Sequence, residues 1–529
     1  MTSMVSVGPH AVEASAPASP RFHSILFRDP TDEPTGAISP VGHFADLRLD
    51  DILAALAGVA HSDALTRHFT TPLRDATAVA YRHEVFTDLA HADVLAAIKK
   101  FSDAMDARHQ VLEQVQRARH RLQQQSLSLE LLATYADAAR TLASDLQALH
   151  LGSTALRSLR AALEDLVHSP TFIASAATLA TLQNAGSAVR YTVRIQGSRV
   201  IVSRYDGQGD HGAEVRSIFA RFRHDTPGAT PGVSSDSLRV DAVESRILDG
   251  VAVLHPELFA ARDAFLAGPD GRMDPLITRL HHELPFYLSW LGLIRPLQHA
   301  GLTFCLPQVT ENTSEISVED GFDLALALAT VPTGAAVVCN SFRLSGPEQI
   351  VVVTGPNNGG KTTFARMVGQ LFHLVGLGVP VPGRSARLTL PDVVFTHFEQ
   401  EEGAPTLTGR FLDELQRVHT ILREATRDSV VILNESFSST NLRDAVTVAT
   451  EVMETLLERG CVGVYVTFMD ELAALDDRSV SMVPRVVPQD PATRTFILDR
   501  APADGRAHAW AIAQKYGLTR ESLLARMRP

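Results

Sequence analysis

One ten-residue stretch constrains this chain more than any other: Thr354-Gly355-Pro356-Asn357-Asn358-Gly359-Gly360-Lys361-Thr362-Thr363. It follows the β-branched run Ile350-Val351-Val352-Val353 and precedes a helix-like segment from Phe364 to Leu377. Strand, glycine-rich loop, helix is the context that a phosphate-binding loop needs. Glycines let backbone N–H groups curl around phosphates, and the helix N-terminus adds partial positive charge. Lys361 has the reach for β- and γ-phosphates, and the Thr362 hydroxyl suits Mg²⁺. Gly355 to Thr363 are therefore the candidate ATP-binding residues.

Such a loop needs a partner strand ending in acidic residues. The best candidate is Ser429-Val430-Val431-Ile432-Leu433-Asn434-Glu435, whose apolar run reads as a buried parallel strand. In an active ATPase the first acidic position helps hold Mg²⁺ and the second polarises the attacking water. Here those positions are Asn434 and Glu435. Asparagine can hydrogen-bond a metal-bound water but brings no charge, so weaker Mg²⁺ binding is expected. A further strand, Val462 to Val466, ends in Thr467-Phe468-Met469-Asp470-Glu471-Leu472. Thr467 reads either as a γ-phosphate sensor or as a plain strand-end hydroxyl.

A chain of 529 residues with 45% hydrophobic content supports several domains, and its few aromatics among many Ala, Leu and Arg suggest a helix-rich protein. The net charge of −12 excludes a global basic field, so any DNA contact must come from a local patch. Cys305, Cys339 and Cys461 show no metal-ligand spacing and read as reduced thiols of a cytoplasmic protein. No apolar run reaches the length of a membrane span.

Three regions are expected. Residues 1–45 read as a disordered tail and lead-in, with Phe22, Ile25, Leu26 and Phe27 able to dock. Residues 46–300 read as a mainly helical core or lever domain, with a β-hairpin insertion near 188–223. The hairpin signal is Tyr191 to Ile195 and Arg199 to Ser203 alternating around Gln196-Gly197-Ser198. Residues 224–237 read as a loop, 302–353 as strand-rich, and 301–529 as an α/β nucleotide-binding domain.

Arg190, Arg194, Arg199, Arg204, Arg216, Arg221 and Arg223 concentrate positive charge around the hairpin. Of these Arg194, Arg199 and Arg204 are the candidate DNA contacts; with Arg194 and Arg204 near the hairpin ends, one face reads as basic, or simply as a solvated sheet face. A second cluster, Arg108, Arg117, Arg119 and Arg121, reads as a solvated helix face. His281-His282-Glu283 lacks the i, i+4 spacing of a helical zinc site and, with Phe286, Tyr287 and Trp290 after it, reads as a packing helix.

Taken in order, these pieces resemble the MutS family of DNA mismatch-repair ATPases. Residues 354–363 are similar to that family's TGPNxGGKST loop, with Thr362 for Ser. Thr408 to Leu415 falls where the family has its GRSTFMVEM segment, and Ile421 to Ser429 keeps its IL-x-x-AT-x-x-S spacing. Leu433-Asn434-Glu435 falls on LDE and Thr467 to Leu472 on THYHEL. Pro72-Leu73-Arg74-Asp75 with Arg82 resembles the start of the family's helical core. About 45 residues precede that core, leaving no room for the mismatch-reading domains; a reduced, divergent bacterial MutS-like branch is expected.

The resemblance implies an α/β P-loop NTPase domain behind a helical lever domain, with ATP and Mg²⁺ as ligands. Thr362 and Asn434 would hold the metal, and Lys361 and Glu435 would be catalytic. It implies DNA as partner and a homodimer through the ATPase domain, with Gly409 and Arg410 facing the partner's γ-phosphate. Two alternatives stay open: an ATP-gated scaffold with little hydrolysis, prompted by Asn434 and Phe468, and a protein–protein arm without direct DNA binding.

Overall fold

The computed structural model describes residues 22–33, 42–59, 63–118, 120–196, 199–207, 242–311, 313–356, 359–399, 407–486 and 494–503. The expectations for the tail before Phe22, for Arg119, Arg216, Arg221 and Arg223, for the loop 224–237, and for Asn357 and Asn358 lie outside them. The chain forms two compact units, one from Asp88–Gly152 and Leu156–His281, the other from His23–Thr87, Ser153–Ala155 and His282 onward.

The first unit is helical. Ala92–Arg117 and Arg121–Gln147 pack against each other along their length. The second of these is capped by His120, whose ring accepts from the Leu122 amide at 3.2 Å. Its buried positions, among them Leu122, Gln125, Leu129, Leu132, Ala136, Ala139 and Leu146, recur at helical spacing. Leu129 and Leu132 meet Leu179 and Leu182 of the Pro170–Ser187 helix and Phe265 of the Pro256–Ala267 helix. Arg262 is buried there and donates to the Leu182 carbonyl at 2.9 Å.

The alternating segments beside it form the antiparallel hairpin of β1 (Tyr191–Gln196) and β2 (Arg199–Arg204). Tyr191 pairs with Arg204, Arg194 with Ile201 and Gln196 with Arg199. Side chains alternate faces along a strand, so Arg194 and Arg199 share one face while Arg204 lies on the other. The expectation of one basic face holding both Arg194 and Arg204 is corrected by this register. The Arg204 guanidinium instead donates to the Leu254 carbonyl at 3.2 Å, at the end of the Ala242–Leu254 helix.

The second unit carries strands β3 (Phe304–Cys305), β4 (Gln308–Val309), β5 (Ser317–Gly321), β6 (Asn340–Arg343), β7 (Ile350–Val353), β8 (Val381–Pro382) and β9 (Ser385–Leu388). It continues with β10 (Val394–Phe398), β11 (Val430–Asn434), β12 (Val462–Val466), β13 (Ser479–Val486) and β14 (Arg494–Arg500). The main sheet has the order β10-β11-β12-β7-β13-β14, parallel throughout except for the antiparallel β13–β14 pair. Strands β7, β11 and β12 are buried at every position, as unbroken apolar runs covered on both faces require. A smaller sheet runs β4-β9-β5-β6. The region 302–353, expected to be strand-rich, also holds the helix Leu324–Thr330. Its Leu and Ala residues favour helix, and the Asp323 carboxylate caps it by accepting from the Leu326 amide at 3.1 Å.

The Lys361–Leu377 helix runs through the middle of this unit and, apart from Arg366, is buried from Phe364 to Leu377. Gln370 donates to the Leu47 carbonyl at 2.9 Å and to Asp323 at 2.8 Å, and the Leu73 amide donates to Gly376. The lead-in is docked too: Ile25, Leu26 and Phe27 are buried. Glu283 accepts the Ile25 amide at 2.8 Å, and the Tyr287 hydroxyl donates to the Ile25 carbonyl at 2.7 Å. Arg82, 1% exposed, donates to the Leu26 carbonyl and to the Leu377 carbonyl at 2.7 Å, with its guanidinium over Phe27 and Phe286. One buried charge thus ties the lead-in to the end of the central helix.

Candidate nucleotide site at the glycine loop

Strand β7 ends at Val353, the chain turns through the glycine loop, and the central helix begins at Lys361. Gly355 has φ of 121° and Gly360 of 89°, conformations that side chains rarely adopt. A Cβ at Gly355 would also lie 2.6 Å from the Pro484 ring on β13, so the loop rests on that proline. Lys361 is 4% exposed; its ammonium donates to the Gly355 carbonyl at 2.8 Å and the Pro356 carbonyl at 3.3 Å. Burial lowers its pKa, and the nearby Glu435 carboxylate opposes that.

Strand β11 lies two places from β7, with β12 between them. Its end delivers Asn434 and Glu435 to the glycine loop. The Thr362 hydroxyl donates to the Asn434 amide oxygen at 3.2 Å. Glu435 Oε1 stands 3.7 Å from Lys361 Nζ. Glu435 has φ of 53°, and its amide donates to Val466 on β12 at 2.9 Å. Lys361, Thr362, Asn434 and Glu435, singled out from separate parts of the sequence, are therefore brought together.

A cavity of about 830 Å³ opens over them, lined by Gly360, Lys361, Thr362, Thr363 and Glu435 on one side. The rest of its wall is Leu326, Thr330, Ala336, Val337, Val338, Asn340 and Phe496. None of these wall residues stood out in the sequence. Asn340 donates to the Phe496 carbonyl at 3.0 Å and accepts the Leu498 amide at 2.8 Å, joining β6 to β14 across more than 150 residues. No local pattern signals such a pairing.

Thr467 is placed at the end of β12 and is 1% exposed. Its hydroxyl accepts the Met469 amide at 3.1 Å, and it does not line the cavity. Gly409 lies in the first turn of the Leu407–Glu424 helix; the Arg410 side chain is outside the described structure. Arg194, Arg199 and Arg204 belong to the helical unit.

The donors fit a hard cation bound with a polyphosphate. Thr362 and Asn434 offer neutral oxygens, as Mg²⁺ sites completed by phosphate and water do. Among the described residues no group of three or more His, Cys, Asp or Glu is placed to hold a metal.

Residues 351–518 match the family model described as MutS domain V. Over this segment the chain is similar to the MutS family. It is 33% identical over 137 residues to the DNA mismatch repair protein MutS of Thermotoga maritima, covering 26% of this chain and 17% of that MutS. It is 36% identical over 128 residues to the DNA mismatch repair protein MutS of Thermus thermophilus, covering 24% and 16%. The Endonuclease MutS2 of Thermus thermophilus is 30% identical over 191 residues, covering 35% and 25%. The chain thus matches a quarter or less of the length of these MutS relatives, and the matched MutS domain contains the glycine loop, Asn434 and Glu435. No helix among the described residues is long and apolar enough to cross a membrane.

Proposed function

We propose that the chain is a Mg²⁺-dependent ATPase of the MutS type, whose nucleotide state changes its grip on DNA. The observation that carries this is the convergence of Thr362 with Asn434 and of Lys361 with Glu435 beneath one cavity. The glycine-loop amides and the start of the central helix would bind the phosphates, and Lys361 would leave its two carbonyl partners for them. Thr362 and Asn434 would hold Mg²⁺. When bound, the ion would offset phosphate charge during transfer. Glu435 would orient the attacking water and take its proton.

The pairing proposed is a homodimer through the ATPase domain, with Gly409 and Arg410 facing the partner's γ-phosphate. A lever role for the helical unit requires that ATP favour one arrangement of it over another. A second reading, an ATP-gated scaffold with little hydrolysis, is favoured by one observation: Asn434 makes the Thr362 contact without a negative charge.

DNA contact is proposed for the hairpin face carrying Arg194 and Arg199, both exposed. Duplex binding measured against salt should show a log–log slope shallower by about 0.9 in Arg194→Ala and in Arg199→Ala, each variant leaving one phosphate without its arginine. Arg204→Ala, on the opposite face, should leave the slope unchanged. Equal slopes for all three variants would remove this face as the DNA contact, and no binding at low salt would remove DNA from the reading and leave a protein–protein arm.

A further inference from the structure

The turn that follows β11 is held in an unusual shape. Glu435 and Phe437 both have left-handed backbones, with φ of 53° and 68°, which residues other than glycine seldom adopt. Such a turn persists only where its surroundings determine it. Three attachments do so. The Glu435 amide donates to Val466 of β12 at 2.9 Å. The Ser436 hydroxyl and the ring of His397 on β10 are hydrogen-bonded at 2.9 Å. The Phe437 amide donates to Glu414 Oε2, also at 2.9 Å.

The third attachment differs from the other two. Its acceptor is a carboxylate, which makes the stronger kind of hydrogen bond. It also comes from the Leu407–Glu424 helix rather than from the sheet. The Phe437 ring is fully buried and meets Phe411 of the same helix edge-on, with centroids 6.3 Å apart. Glu414 is half-buried, so water competes poorly for its oxygens.

We propose that Glu414 is a positioning residue for Glu435: its carboxylate holds the Phe437 amide, and through it the turn that presents Glu435 to Lys361. The helix that carries Gly409 would then set the aim of the hydrolytic carboxylate within the same chain. The inference rests on the ATPase reading for its catalytic consequence but not for its structural one.

Two near-isosteric variants separate the hydrogen bond from the packing. Glu414→Gln keeps a carbonyl acceptor at the same place; Glu414→Met keeps the bulk and removes the acceptor. In Glu414→Met, ATP turnover should fall at least about tenfold while ATP affinity stays within about threefold. In Glu414→Gln both should stay within about threefold of wild type. Amide hydrogen exchange across residues 430–442 provides the second readout. Phe437 should lose protection in Glu414→Met and keep it in Glu414→Gln. Equal turnover in the two variants, with Phe437 equally protected, would overturn the proposal. If the wild-type protein itself fails to hydrolyse ATP, the ATPase reading falls, and exchange at Phe437 alone decides whether Glu414 anchors the turn.

Discussion

Replacing Glu435 by glutamine is expected to lower Mg²⁺-ATP turnover at least about a hundredfold, with ATP affinity kept within about threefold. Glutamine preserves the size of the side chain and its hydrogen-bonding reach. It loses the ability to accept a proton from water. The contacts expected to bind ATP lie elsewhere, in the glycine loop and at Lys361, so binding should survive. The carboxylate is well placed for this division of labour: 29% exposed, at the end of a buried strand, 3.7 Å from the Lys361 ammonium. Removing its charge also leaves the Lys361 ammonium facing burial without that support. Steady-state turnover and fluorescent-nucleotide binding, measured on both proteins, separate the two readings of Asn434. A large drop identifies a working hydrolytic site. Indistinguishable rates identify the scaffold.

Mild acid is expected to destabilise the second compact unit more than carboxylate titration alone would. His43, His68, His373 and His397 are all buried. Burial holds His43, His68 and His397 at a pKa of about 4 and His373 at about 3. His373 shows why: its Nε2–H donates to the Phe69 carbonyl at 3.1 Å, while its ring packs against His43, Phe44 and Phe69. A second proton there has nowhere to be solvated. The sign follows from linkage. Above pH 6.5 each histidine is neutral, folded or unfolded, and the stability is intact. Between pH 6.5 and about 4 only the unfolded chain takes up protons, so stability falls as pH falls. Below about pH 4, and for His373 below about 3, the folded form also protonates and the loss levels off. Each such group costs about 2 kcal/mol by pH 5. Four together rival the roughly 5–15 kcal/mol that hold a domain folded. Denaturant midpoints at pH 7.5, 6 and 5 test this. A steep decline is expected, and equal midpoints at pH 7.5 and 5 would contradict it.

Much of the architecture was legible because it is written locally. The run Ile350 to Val353, the glycines and the apolar helix after them fix a strand–loop–helix unit by short-range rules. The run Val430 to Leu433 could be read as a buried parallel strand, which brings Asn434 and Glu435 to the same edge of the sheet. The hairpin could be read from alternation and its turn, and Asp323 signals a helix start only once the Leu/Ala run after it is weighed against strand. What stayed hidden is set by pairings distant in sequence. Register alone puts Arg204 on the face opposite Arg194. Pro484 under Gly355, Asn340 against Phe496, and Glu414 on the Phe437 amide join segments with no common pattern. The docking of Ile25 to Phe27 depends likewise on Arg82, Glu283 and Tyr287, which nothing in the lead-in itself connects to it.

Equilibrium binding of ATP, with and without Mg²⁺, to the wild-type chain and to Lys361→Ala tests the central claim most directly. The expected result is saturable, Mg²⁺-enhanced binding by the wild type, weakened at least about a hundredfold in the variant because a buried ammonium no longer meets the phosphates. Binding that is absent from the wild type at millimolar ATP, or undiminished in Lys361→Ala, would contradict a nucleotide site at this loop.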